Sequence, residues 1–198
     1  MKTMWKRYGL FALLSLLLIA VDQWSKALAY KTLRIDGPIA LIQGVFELYY
    51  SENRGAAFGI LQGKQWFFLL VAAAVVIVIL LFLSRIPWRK RYAPLFFALV
   101  LLCSGAVGNV IDRVVLGFVV DFFYFRLIDF PIFNVADCYV VVSAALLLFL
   151  TGFWYREEEL SFLSFSSAGK NKNSEHGAEN REGKGGPAKQ QQKGERPE

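Results

Sequence analysis

Three stretches of this chain, 66–83, 92–111 and 138–155, contain no charged residue at all. Each is long enough to cross the roughly 30 Å hydrocarbon layer of a bilayer as a helix. A fourth run begins at Tyr8 and reaches Val21. It continues through Asp22, Gln23, Trp24, Ser25 and Lys26 to Tyr30, which completes a span. A soluble domain of 198 residues spreads its apolar side chains at helical or strand period, whereas here the 56% hydrophobic content comes in blocks. The pattern predicts an all-α integral membrane protein with four transmembrane helices, at about 8–30, 65–84, 92–113 and 134–155.

The net charge of +6 raises the question of nucleic acid. The distribution of the charge excludes it, because Lys and Arg lie mostly in flanks and tail rather than on one folded soluble face. Lys2, Lys6 and Arg7 precede the first span, and Arg85, Arg89, Lys90 and Arg91 crowd the short loop after the second. In segment 31–64, Lys31, Arg34, Arg54 and Lys64 are diluted over a longer loop and partly balanced by Asp36, Glu47 and Glu52. The positive-inside rule then puts both termini in the cytoplasm and this loop outside. A basic start, an apolar run and Ala27-Leu28-Ala29 also resemble a cleavable signal peptide. Asp22 and Lys26 interrupt that pattern, and three further spans follow.

The outer loops are not plain connectors. Residues 38–51 are rich in β-branched and aromatic side chains with Gly44 as punctuation, which suggests a short hairpin. The segment 114–133 is strongly aromatic and suits either a strand on the interface or an aromatic belt. From 161 to 198, Ser, Gly, Gln, Lys, Glu and Asn dominate. Nothing there can bury a core, so a disordered cytoplasmic tail is expected. Cys103 and Cys138 read as small apolar filler, and His176, the single histidine, sits in the polar tail. No zinc-ligand spacing is present, and no cofactor is expected.

Ionisable and amide side chains near hydrocarbon are expensive and mark function by default. Asp22 and Lys26 stand four apart near the back of the first span. Asn109, Asp112 and Arg113 share a face at the back of the third, and Asn134 and Asp137 stand three apart at the front of the fourth. With the topology above, all of them gather at the outer membrane face. The plainer reading is structural: interfacial salt bridges, and Asn134 as the N-cap of a capping box with Asp137. The functional reading is carboxylate chemistry, in which one acid of a close pair holds a proton while its partner stays charged. Asp137, near a helix N-terminus, suits the charged role. Spacing alone leaves Asp22, Asp112, Asp121, Asp129 and Asp137 all open.

The motifs V-D-Q-W-S-K at 21–26, E-N-R-G-A-A-F-G at 52–59, G-N-V-I-D-R at 108–113, V-V-D-F at 119–122 and F-N-V-A-D at 133–137 follow one another in a four-span chain. In this the sequence resembles the bacterial lipoprotein signal peptidases (signal peptidase II) over almost all of 8–155. The resemblance implies a membrane-embedded aspartic endopeptidase that removes the signal peptide from diacylglyceryl-modified prolipoproteins, cutting before the lipidated cysteine. It makes Asp121 and Asp137 the catalytic aspartates. Asn53, Asn109, Arg113 and Asn134 match substrate-positioning and site-ordering residues, while Asp22, Lys26 and Asp112 match positions of more structural character. Cys138 departs from the Ser common after the second aspartate. The resemblance also implies a small extracytoplasmic β-cradle lying on the outer membrane face.

The expected setting is the bacterial inner membrane, with the active site near the outer leaflet. The expected partners are prolipoproteins and membrane phospholipids, with no nucleic acid, and the working unit is a monomer. Two rivals stand beside this reading. A proton-coupled transporter needs polar groups reaching both faces, whereas the second span and the inner half of the fourth carry no ionisable residue. A membrane scaffold would tolerate Asn at 121 or 137.

Overall fold

The computed structural model describes residues 2–55 and 63–163; the expected tail from 164 on, with His176, and residues 56–62, which include the end of the glycine-bearing motif, lie outside them. Among the described residues, four helices are long and apolar enough to cross a membrane. They are α1 (Lys2–Asp36), α2 (Gln65–Arg85), α3 (Ala93–Val115) and α4 (Val135–Phe149), the last extended by a π-helical turn, Leu150–Trp154. A three-stranded antiparallel sheet, β1 (Ile39–Ile42), β2 (Phe46–Asn53) and β3 (Val119–Tyr124), is built from the two segments that connect α1 to α2 and α3 to α4.

These helices fall on the four apolar runs, and α1 extends beyond its run at both ends. It stops at Gly37, whose φ of 85° is open to glycine without strain, followed by Pro38, which cannot continue a helix. Helix α2 ends at Arg85, just before Ile86-Pro87. Helix α3 carries a proline in its first turn, where the missing N–H loses nothing. Arg7 packs on the end of α2 and donates to the carbonyls of Leu83 (2.6 Å) and Ser84 (3.3 Å), which have no helical partner.

Helix α3 is central. Over half of its apolar stretch is buried against the other helices, while α1, α2 and α4 keep most of theirs exposed, as lipid-facing helices do. Phe11, Ile79, Leu83, Leu95, Phe96, Leu99, Val100 and Leu150 form the core among the helices. Between membrane helices, small residues allow close backbone approach. Gly105 shows this: a Cβ there would come within 2.5 Å of the Ala136 carbonyl oxygen and 2.8 Å of Val140 Cγ2.

The hairpin expected at 38–51 is present, closed by Val45 N–H to Ile42 O (2.9 Å) with Gly44 at φ 73°. In the aromatic segment the strand begins at Val119, earlier than the aromatic run itself. Val120 and Phe122 point to one side of β3, where they pack with Ala29 and Leu33 of α1. Alternation turns Asp121 to the other side. One face of β3 thus fastens the sheet to α1, and the opposite face presents a carboxylate.

Replacing Gly105 by Val overpacks the α3–α4 contact, a change that costs about 1–3 kcal/mol. The expected result is a lowered thermal midpoint in detergent, read by intrinsic fluorescence.

Candidate active site

Five elements meet at one end of the helices: the C-terminal parts of α1 and α3, the start of α4, strand β3 and the end of β2. Asn134 is the N-cap of α4 and closes a capping box with Asp137. Its Oδ1 accepts the Asp137 N–H (3.0 Å) while Asp137 Oδ2 accepts the Asn134 N–H (3.2 Å). The cap leaves the amide nitrogen of Asn134 free to act elsewhere. It donates to Asp121 Oδ1 (2.6 Å) and Asn109 Oδ1 (3.2 Å). Asn134 therefore donates to both carboxylates, to Asp121 through its side-chain amide and to Asp137 through its backbone N–H.

The second oxygen of Asp121 accepts from Asn53 Nδ2 (2.9 Å). Strand register explains this: Asp121 pairs with Ser51, so Asn53 is its diagonal neighbour on the same face. Asn53 Oδ1 in turn accepts the Gly55 N–H at 3.0 Å. Asn109 Nδ2 donates to Asp137 Oδ1 (2.8 Å), and Asn109 Oδ1 accepts from Lys26 Nζ (2.9 Å). Each of these three amides has its orientation set by the partners on both sides.

Behind the amides lies a buried ionic cluster. Lys26 Nζ is 2.9 Å from Asp22 Oδ2 and 3.2 Å from Asp112 Oδ2, with the three side chains 3%, 0% and 3% exposed. The intrahelical pair expected from the four-residue spacing is present, and Asp112 extends it across to α3. Asp22 Oδ1 accepts the Ala136 N–H (2.9 Å), and Asp112 Oδ2 accepts the Val120 N–H (3.1 Å). Gln23 and Gly108 stand outside the expected set. Gln23 Nε2 donates to Asp22, Asp112 and the Gly108 carbonyl, and a Cβ on Gly108 would meet Asp22 Oδ2 at 2.5 Å. Their sequence signal was only position within the motifs, since neither carries a charge.

Arg113 donates to the carbonyls of Asn109 (3.3 Å) and Gly55 (3.2 Å), with its guanidinium over the Phe68 ring at 4.5 Å. Its buried Nε has no partner among the described residues. Of the five open aspartates, Asp22, Asp112, Asp121 and Asp137 fall within this network. Asp129 does not: it is exposed on the sheet side and accepts from Tyr124 Oη at 2.7 Å. Among the described residues, no group of three or more His, Cys, Asp and Glu side chains could hold a metal ion.

Burial, and then the charge of Asp137, pushes the Asp121 carboxyl up to about 7, against the opposing effects of the Asn53 and Asn134 amides and of Lys26. A carboxyl poised near neutrality beside a second carboxylate in a capped helix terminus can exchange a proton with substrate or water.

The family model described as signal peptidase (SPase) II matches residues 14–153. The chain belongs to the signal peptidase II family. A relative from Clostridioides difficile (strain 630) named lipoprotein signal peptidase is 44% identical over 138 residues, covering 70% of this chain and 91% of its own. One of the same name from Brevibacillus brevis is 46% identical over the same shares. A solved bacterial membrane enzyme superposes with a TM-score of 0.64 at 29% identity, covering 80% of this chain and 94% of that one. As a signal peptidase II family member the chain is a hydrolase, and its four apolar helices make it a multi-pass membrane protein.

Hydrogen bonds from Asn53 favour the charged form of Asp121, so Asn53→Ala raises the pH at which Asp121 titrates above about 7. Carboxyl infrared or ¹³C spectroscopy of the two proteins in detergent checks this.

Proposed function

We propose that this peptidase uses Asp121 and Asp137 as a catalytic pair to remove the signal peptide from diacylglyceryl-modified prolipoproteins, cutting before the lipidated cysteine. The observation that carries the reading is Asn134, whose side chain donates to Asp121 while its backbone N–H donates to Asp137. The names of the relatives support the substrate class.

The two carboxyls have unequal surroundings, which suits unequal roles. Asp137 lies at a helix N-terminus, accepts from a backbone N–H and from Asn109, and acts as the base. Asp121, its proton held by burial near neutral pH, acts as the acid. Asp137 takes a proton from water as the oxygen attacks the scissile carbonyl carbon, and Asp121 protonates the carbonyl oxygen. The resulting tetrahedral diol collapses with its C–N bond breaking, as a proton passes to the leaving amine. No acyl-enzyme forms. Asn53, Asn109, Asn134 and Arg113 hold the pair and receive the substrate backbone around the bond.

In this reading the protein is a monomer in the bacterial inner membrane. The basic flanks at 2–7 and 85–91 lie in the cytoplasm with both termini. The site then lies near the outer leaflet, where a lipid-anchored substrate presents its cleavage point and water is at hand. Exposed apolar side chains of the sheet, such as Ile39, Leu41 and Ile42, suit contact with membrane phospholipid there.

The test is purified protein in detergent with a diacylglyceryl-modified prolipoprotein, the products being weighed by mass spectrometry. Asp121→Asn and Asp137→Asn, each folded, lose cleavage by roughly 10²–10⁴-fold or more. Survival of cleavage in either one ends the assignment. The wild-type rate falls as pH rises through about 7, because Asp121 then gives up the proton that it must donate. The stability linked to this group has the same sign: its folded pKa is raised, so the contribution is present at low pH and lost through about 7.

A further inference from the structure

The buried ionic cluster has a geometry that packing alone does not require. Asp22 accepts the N–H of Ala136, the residue immediately before Asp137, and Asp112 accepts the N–H of Val120, the residue immediately before Asp121. Lys26 lies between the two carboxylates, and Gln23 Nε2 spans them at 3.1 and 2.9 Å. The third contact of Lys26 is to Asn109, which itself donates to Asp137.

We propose that Asp22, Lys26 and Asp112 are positioning residues that set the separation of the two aspartates, each carboxylate gripping the backbone one residue ahead of its partner. The proposal rests on reading Asp121 and Asp137 as the catalytic pair. Strand β3 and helix α4 reach the site from opposite ends of a loop, joined directly through Asn134 and the Phe123–Phe133 bridge. The cluster joins both to the long helices α1 and α3. Two carboxylates around one lysine is a poor arrangement for stability, since a buried ion pair rarely outperforms apolar packing of the same volume. It is a good arrangement for precision, because charge-assisted bonds are short and directional. Misplacing a reacting group by about 1 Å can cost 10²-fold in rate.

The charged groups acting on Asp121 are Asp137 from α4, Lys26 from α1 and Arg113 from α3. Lys26 favours its ionised form, so removing that charge displaces the alkaline limb of the rate profile to higher pH.

The experiment uses the full chain in detergent with the lipidated prolipoprotein, comparing Lys26→Met, Asp112→Ala and Asp112→Asn, with Asp121→Asn and Asp137→Asn alongside. Lys26→Met and Asp112→Ala are expected to lower kcat per folded molecule on the order of 10–100-fold, as loss of outer-shell partners does, with KM little changed. Asp112→Asn keeps an oxygen for the Val120 N–H and recovers part of the rate. Lys26→Met also moves the alkaline limb upward. Wild-type kcat and an unmoved limb in folded Lys26→Met and Asp112→Ala, with only the melting temperature reduced, overturn the proposal. If Asp112→Ala does not fold, Lys26→Met and Asp112→Asn carry the same comparison. Cleavage by Asp121→Asn or Asp137→Asn overturns the underlying pair instead, a result distinct from failure of the positioning role.

Discussion

Ionisable groups cannot be left unpartnered at membrane depth, and the structure is organised around meeting that condition once. Taking an ion out of water costs several kcal/mol even after relaxation. Lys26 meets the cost with three acceptors, from Asp22, Asp112 and Asn109, and those acceptors are themselves engaged with backbone and amide donors. The partners come from α1 and α3, and the N–H groups they hold belong to α4 and β3. Satisfying one buried lysine thus draws together the elements that carry the two aspartates. Close helix approach at Gly105 and Gly108 makes this possible, since a side chain at either position would stand where the neighbouring atoms now are.

From that anchor the site acquires its asymmetry. Asp137 belongs to a helix terminus and Asp121 to a strand, so they reach a common amide, Asn134, from different backbone environments. The helix terminus supplies N–H donors and a favourable dipole to one carboxylate. The strand supplies burial and a diagonal Asn53 to the other. Two chemically identical side chains become distinguishable through what holds them. The sheet that carries Asp121 is fixed to α1 by the opposite face of β3, so the same alternation that buries Val120 and Phe122 aims the carboxylate.

The structural contacts of the polar pairs leave room for a functional role. Asn134 and Asp137 form the capping box that their spacing suggests, and the same asparagine bonds to Asp121. Asp22 and Lys26 form the intrahelical pair, and both also reach across to other elements. Cap and salt-bridge patterns are local and therefore visible in sequence. The cross-helix partners are not, because they depend on helix rotation and depth. Gln23 shows the limit: an uncharged residue in a motif gives no hint that it links two carboxylates 89 and 1 positions away.

The number of long apolar helices, the hairpin after the first and the gathering of polar side chains at one end were determined by sequence alone. Hydrophobic length and charge are properties of contiguous residues, and the bilayer reads them directly. Spacing did not choose among five aspartates; resemblance did, and the fold then separated Asp129 from the other four. Which carboxylate accepts which N–H, which face of β3 looks inward, and how Lys26 comes to lie between Asp22 and Asp112 were decided by tertiary structure. The N–H bonds to Asp112 and Asp22 join residues 8 and 114 positions apart, and only the packing of α3 against its neighbours brings such partners within hydrogen-bonding distance.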